Sequence, residues 1–186
     1  MNARLFVALD LPESVAASLV AWRTPLLRRL DAMRPVAPEA LHVTLAFLGW
    51  KAEEAVAPLG ELVDACTTGT GGVAGLALGE PLWLPRRRPH VLAVALEDRH
   101  GQLTQLQARL VERLATGGWY EPEARPYLPH VTLARSRGRE GIRVPRDAEP
   151  PPLEALVFDG VAVTLYRSHL GPGGARYEPL FVRRLA

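Results

Sequence analysis

The pentapeptide His-Val-Thr-Leu-Ala occurs twice in this chain, at residues 42–46 and again at 130–134. With five histidines in the sequence a single His-x-Thr would carry little weight, but identity over five consecutive positions marks an internal repeat. The chemistry such a pair can do follows from the side chains. Displacement at phosphorus needs a base for the attacking oxygen, an acid for the departing oxygen on the opposite side, and donors to the charged non-bridging oxygens. Imidazole, with an unperturbed pKa of about 6.5, can be neutral in one copy and protonated in the other near neutral pH. A threonine hydroxyl donates to a phosphoryl oxygen without adding charge, and β-branching holds it in place. His42 and His130 are therefore the candidate catalytic pair, and Thr44 and Thr132 the candidate phosphate donors. Two histidines could also bind zinc. The chain, however, has no HExxH, no Cys/His pairing at ligand spacing and no carboxylate inside either motif, so neither a metal nor another cofactor is expected.

To act together, the two copies must be carried by elements that converge. Each reads as a strand, whose alternation sets His and Thr on one face and Val and Leu on the other, with the apolar pair buried. Around them the pattern is mixed. Residues 5–9 form a short apolar run suited to a buried strand, and a helix follows, with Asp10 as N-cap, Pro12 in its first turn and Glu13 completing a capping box. Its apolar positions recur through Leu19, Leu26, Leu27 and Leu30, and Pro35 and Pro38 close the unit. Residues 41–48 make a strand ended by Gly49, and residues 53–66 a helix despite Pro58. The Gly/Thr-rich stretch 67–75 lacks both the GK[ST] ending of a P-loop and the dinucleotide spacing, and reads as a plain loop. Strands at 76–84 and 90–96 flank the turn Pro85-Arg86-Arg87-Arg88-Pro89. A helix over 102–115 carries Leu103, Leu106, Leu110 and Leu114, and strands are predicted at 129–136, 153–168 and 176–184, the last two joined through Gly171-Pro172-Gly173-Gly174. Strand–helix–strand units thus appear twice in an α+β chain.

Composition sets outer bounds. The 186 residues suffice for one compact domain or two packed lobes, and 48% hydrophobic with 23% charged residues is a globular balance. Net charge is +2 with a pI near 9.0, nearly all of the positive charge being arginine, which favours anionic partners and bidentate phosphate recognition. Cys66 stands alone in an apolar, helical stretch and reads as a buried structural thiol. No stretch reaches membrane-spanning length and the N-terminal apolar run is too short for an export signal, so a cytoplasmic protein is expected.

The chain resembles the 2H phosphoesterase superfamily, and within it the bacterial and archaeal RNA 2′,3′-cyclic phosphodiesterases also known as 2′-5′ RNA ligases. The resemblance rests on Arg4-Leu5-Phe6-Val7-Ala8 followed by Asp10-Leu11-Pro12, on the first HxTx with Phe47-Leu48-Gly49 after it, and on the second with Ala134-Arg135 after it. It extends to Leu165-Tyr166-Arg167-Ser168-His169-Leu170 and Gly174-Ala175-Arg176-Tyr177-Glu178 near the end. It implies a single bilobal domain over 1–186: two pseudo-symmetric halves whose antiparallel sheets line a central cleft, helices outside, and one HxTx on each wall. It further implies metal-free hydrolysis of an RNA terminal 2′,3′-cyclic phosphate to a 2′-phosphate, with 2′-5′ joining as the reverse type of reaction. RNA 3′ ends or nucleoside 2′,3′-cyclic phosphates would be the partners, taken by a monomer without a membrane.

In the order the resemblance suggests, His42 protonates the leaving 3′ oxygen and His130 takes the proton of water, although identical motifs leave that order open. Arg135 would sit at the phosphate. Its odd offset from His130 points to the opposite face of an ideal strand, so a strand end or twist must turn it inward. Phe47 and Tyr166 are candidates to stack on a base, or are core aromatics. Arg86, Arg87 and Arg88 either guide an RNA backbone or are solvated, and His90, His100 and His169 read as surface or locally bonded groups. Two other readings remain: a module that binds or joins RNA ends without hydrolysis, and a different 2H activity such as cleavage of 2′-5′ oligoadenylate or a small cyclic phosphate.

Overall fold

The computed structural model describes residues 2–69, 71–145, 148, 150–171 and 174–185. β1 (Asn2–Asp10) and α1 (Glu13–Leu27) lead through β2 (Met33–Pro35) and a 3-10 turn (Pro38–Ala40) to β3 (His42–Ala52). A second 3-10 turn (Glu53–Ala55) opens α2 (Val56–Thr67), which places Pro58 in the first helical turns, where no intrahelical N–H is lost. Then come β4 (Leu76–Leu84), β5 (Val91–Asp98), α3 (Gln102–Thr116), β6 (His130–Ser136), β7 (Val157–Phe158), β8 (Ala162–Gly171) and β9 (Gly174–Arg184).

The strands form one antiparallel sheet in the order β7-β4-β5-β6-β3-β1-β8-β9, with β2 added to β6. Its two halves repeat: β1-α1-β3 backed by β8 and β9, and β5-α3-β6 backed by β4 and β7. They join where β3 meets β6 at Val43↔Val131. Those are equivalent residues of the two pentapeptides. An antiparallel pair with equivalent residues opposite each other has a local two-fold axis between them, so this one register pair establishes the pseudo-symmetry. Beyond it, β2 takes over the edge of β6 at Pro35↔Ala134, Arg34↔Arg135 and Met33↔Ser136, and β3 is free to diverge. Apolar side chains of the central strands, including Leu5, Val7, Leu9, Leu92, Val94, Val131 and Leu133, are fully buried. Leu103, Leu106, Leu110 and Leu114 make the buried stripe of α3.

Three local expectations are corrected, and one short strand was not foreseen. Asp10 ends β1 instead of capping α1: the N-cap is Pro12, without a side-chain bond, and the Asp10 carboxylate accepts from Thr164 Oγ1 at 2.7 Å and Tyr166 Oη at 2.8 Å. Gly49 does not end its strand. It sits at φ 72° beside a bulge against β1, and β3 continues to Ala52. The three-residue β2 has no sequence pattern of its own, since its reason to be extended is the free edge of β6. Residues 153–168 are not one strand: β7 and β8 are separated at 159–161, where Gly160 N–H bonds to Val73 O and Val161 N–H to Asp10 O. Of the closing hairpin's turn, Pro172 and Gly173 lie outside the described residues. No helix among the described residues is long and apolar enough to cross a membrane.

Candidate active site

Both histidines are oriented by the same bond. His42 Nδ1 stands 2.8 Å from the carbonyl of Ala40, and His130 Nδ1 2.7 Å from that of Leu128, each two residues upstream. A carbonyl can only accept, so Nδ1 carries the proton in each neutral ring and Nε2 is the atom left for proton transfer. His42 Nε2 receives the Thr44 hydroxyl at 3.1 Å. Around the Val43↔Val131 pair the antiparallel direction sets His42 on the side of Thr132 and Thr44 on the side of His130, all four on the face opposite the buried valines.

The exposure pattern of the two motifs is identical. In each, His and Thr are partly exposed, Val, Leu and Ala are buried, and the next residue, Phe47 or Arg135, is exposed. The reason is a bulge at the same point in both copies. Val7 pairs Ala46 and Ala8 pairs Thr44, which leaves Leu45 as the extra residue, while Leu92 pairs Ala134 and Ala93 pairs Thr132, which leaves Leu133. One inserted residue reverses the alternation, so the residue five beyond each histidine returns to the histidine's face. That is how Arg135 reaches the site, and why Phe47 lies opposite Phe6 there.

The carbonyl of each extra leucine accepts a side-chain bond from the helix of the other half. Arg23 Nη1 on α1 donates to Leu133 O at 2.6 Å, together with Val36 N–H at 2.9 Å, and Gln107 Nε2 on α3 donates to Leu45 O at 3.3 Å. Tyr127 Oη adds a bond to Thr44 O at 3.2 Å. The helices thus hold the opposite HxT strands in their bulged form.

The two walls differ in chemistry. His42 lies within an aromatic cluster: Phe6 at 4.9 Å between ring centroids, Tyr177 edge-on at 5.3 Å and Tyr166 at 6.3 Å. Tyr166 stacks on Phe6 at 5.2 Å, and its bond to Asp10 fixes it as a wall of the site. Burial pushes the His42 imidazole down to about 4. The bond to Ala40 opposes this, and the charges of Arg135 and His130 add to it, so both groups of the second wall act electrostatically on the first. Burial raises the Asp10 carboxyl against its two hydroxyl donors, and the Tyr166 phenol is raised by burial and by Asp10. Phe47, 43% exposed, carries the Arg4 guanidinium 4.5 Å above its ring.

All seven sequence-predicted residues, His42, His130, Thr44, Thr132, Arg135, Phe47 and Tyr166, line this face. Arg86, Arg87 and Arg88 stay exposed on the β4–β5 turn. His90 and His169 are locally bonded, to Ser136 and Glu178, and Cys66 is buried. Among the described residues no group of three or more His, Cys, Asp or Glu gathers as a metal site. Sequence reasoning missed Asp10, Arg23 and Gln107 as supports. Their partners are 110 and 62 residues away for Arg23 and Gln107 and 154 for Asp10, and no local pattern signals such bonds.

A duplicated HxT strand pair on one pseudo-two-fold sheet is the architecture of a two-histidine phosphoesterase. The chain belongs to the 2′-5′ RNA ligase superfamily, whose sequence model matches residues 11–171. Among curated relatives, the RNA 2′,3′-cyclic phosphodiesterase of Escherichia coli (strain K12) is 34% identical over 182 residues, covering 95% of this chain and 93% of its own. The protein of the same name from Thermus thermophilus is 31% identical, covering 95% and 87%. The crystal structure of E. coli LigT complexed with 3′-AMP superposes with a TM-score of 0.80 at 30% identity over 100% of this chain and 99% of that one. TT0787 of T. thermophilus gives 0.75 at 31%, over 98% and 97%.

Proposed function

We propose that this protein, acting as one bilobal domain and as a monomer, hydrolyses the 2′,3′-cyclic phosphate at RNA 3′ ends or on nucleosides to a 2′-phosphate, with imidazole and not a metal activating water. The observation that carries the reading is the Val43↔Val131 register, which brings two carbonyl-anchored imidazoles and two threonine hydroxyls to one face. His130 takes the proton of a water as its oxygen bonds to phosphorus. The bond from phosphorus to the 3′ oxygen breaks, and His42 gives that oxygen its proton. Thr44, Thr132 and Arg135 bind the non-bridging oxygens, where negative charge grows. The depressed His42 suits the donor: a ring whose cation is destabilised by burial is a strong acid once the substrate's anionic phosphate has drawn a proton onto it. With an RNA 5′-hydroxyl in place of water, the same displacement leaves a 2′-5′ linkage.

The test is turnover of a nucleoside 2′,3′-cyclic phosphate, followed by chromatographic detection of the 2′-phosphate. His42→Ala and His130→Ala should each lower the rate by about 10²- to 10⁴-fold while the circular dichroism spectrum is retained, and chelators should have no effect. Full turnover in either variant would overturn the paired mechanism. Binding without product in the native protein would leave an RNA-end-binding module, and a product from 2′-5′ oligoadenylate alone would leave another 2H activity.

A further inference from the structure

A second bulge in β3 turns a large aromatic side chain toward the cleft. Phe6 pairs Phe47 and Leu5 pairs Gly49, which leaves Leu48 as an extra residue, and Gly49 at φ 72° supplies left-handed backbone for the bend. Without that insertion Gly49 would share the face of Phe47. With it Trp50 does, directly opposite Arg4. Arg4 and Phe6 alternate onto one face of β1, and the Phe6 ring lies 4.9 Å from that of His42, so Trp50 is on the face of the catalytic pair. A strand rises about 3.3 Å per residue, which sets Trp50 about 7 Å beyond Phe47 along this face.

The fold makes little use of this side chain. Trp22, Trp83 and Trp119 pack against the core, whereas Trp50 is 64% exposed and, among the described residues, has neither a hydrogen bond nor a ring contact. Its neighbour Arg4 lies over Phe47, with Ser168 Oγ 3.5 Å from Nη1, and among the described residues no carboxylate pairs with it. An open indole therefore stands beside an unneutralised cation, both continuous with the cleft. Single-stranded nucleic acid offers the matching pair of features, a π face on every base and an anion in every linkage. A protein partner fits less well, because an ordinary interface buries about 800 Å² on each side and one indole beside a charge supplies a small part of that.

In-line displacement gives the direction of the chain. Water held by His130 attacks opposite the 3′ oxygen that His42 protonates, so the ribose lies on the His42 side of phosphorus and the RNA 5′ to it leaves across the His42 wall. We infer that Trp50 is a stacking platform for the base of the nucleotide immediately 5′ to the terminal one, with Arg4 beside the phosphodiester that joins them. The inference rests on the reading of the cleft as the site of the terminal cyclic phosphate. It makes the enzyme prefer an RNA end to a free nucleoside cyclic phosphate, with Trp50 as a specificity residue outside the reacting group. The platform takes any base, purines more tightly than pyrimidines because they stack over more area.

The experiment compares three substrates: a nucleoside 2′,3′-cyclic phosphate, a dinucleotide ending in a 2′,3′-cyclic phosphate, and the same dinucleotide with its 5′ nucleotide abasic. Native KM should be lowest for the complete dinucleotide. Trp50→Ala should raise that KM about tenfold, to the abasic value, with kcat unchanged and the other two substrates unaffected, and Trp50→Phe should recover most of the loss. Equal losses on the complete and abasic dinucleotides would assign the contact to the backbone and overturn the stacking. Equal losses on all three substrates, or none, would overturn the platform altogether. Should no substrate turn over, titration calorimetry of a dinucleoside monophosphate separates the two questions. About tenfold weaker binding by Trp50→Ala upholds the platform without the hydrolysis, and equal affinity removes it.

Discussion

Burial of His42 has a consequence for folding that can be worked through. The ring's pKa is about 4 in the native protein and about 6.5 in an unfolded chain. Between those values the unfolded state binds a proton that the native state does not. Stability therefore rises with pH across this window: it is complete above about pH 6.5 and is lost as pH falls toward 4. One pKa unit is worth about 1.36 kcal/mol, so His42 alone should cost the native state about 3 kcal/mol over the whole window. The perturbation is His42→Asn, whose amide can keep the donor to Ala40 O while removing the titration. Urea unfolding from pH 4.5 to 7.5 measures both proteins, and the native-minus-variant stability difference should shrink by about 2 to 3 kcal/mol between pH 6.5 and 4.5. Opposing contributions, such as that of Asp10, whose carboxyl is raised and so favours the folded state at low pH, are common to both proteins and drop out. NMR titration of the His42 ring gives the same quantity directly, and Arg135→Gln should move its midpoint upward by removing a like charge. Parallel stability curves, or a ring midpoint near 6.5, would refute the claim that burial neutralises His42.

Two further outcomes concern the bulged strands. Gln107→Met keeps volume but leaves Leu45 O without its cross-half donor, and should cost about 1 to 2 kcal/mol by chemical denaturation. Thr132→Val preserves shape and removes one hydroxyl from the phosphate site; steady-state kinetics should show kcat lower by about 10²-fold with folding intact.

The sequence by itself singled out the candidate residues for the chemistry. Two identical pentapeptides named His42, Thr44, His130 and Thr132, and the period of two in each copy placed histidine and threonine together on the face away from valine. Helical spacing and apolar runs also yielded α3 and the central strands, because those signals are local. What the tertiary structure alone decided is how the copies meet and which neighbours join them. A β-bulge adds a residue without changing the apolar pattern, so strand spacing alone sends Phe47 and Arg135 to the wrong face, and only the paired strands show them returning to the histidines. Gln107 and Arg23 bond the carbonyls of the extra leucines from 62 and 110 residues away. Likewise Asp10 reads as a helix cap only until β8 brings Thr164 and Tyr166 beside it. Hydrogen bonds across such separations depend on the packing of whole elements, and no window of neighbouring residues contains them.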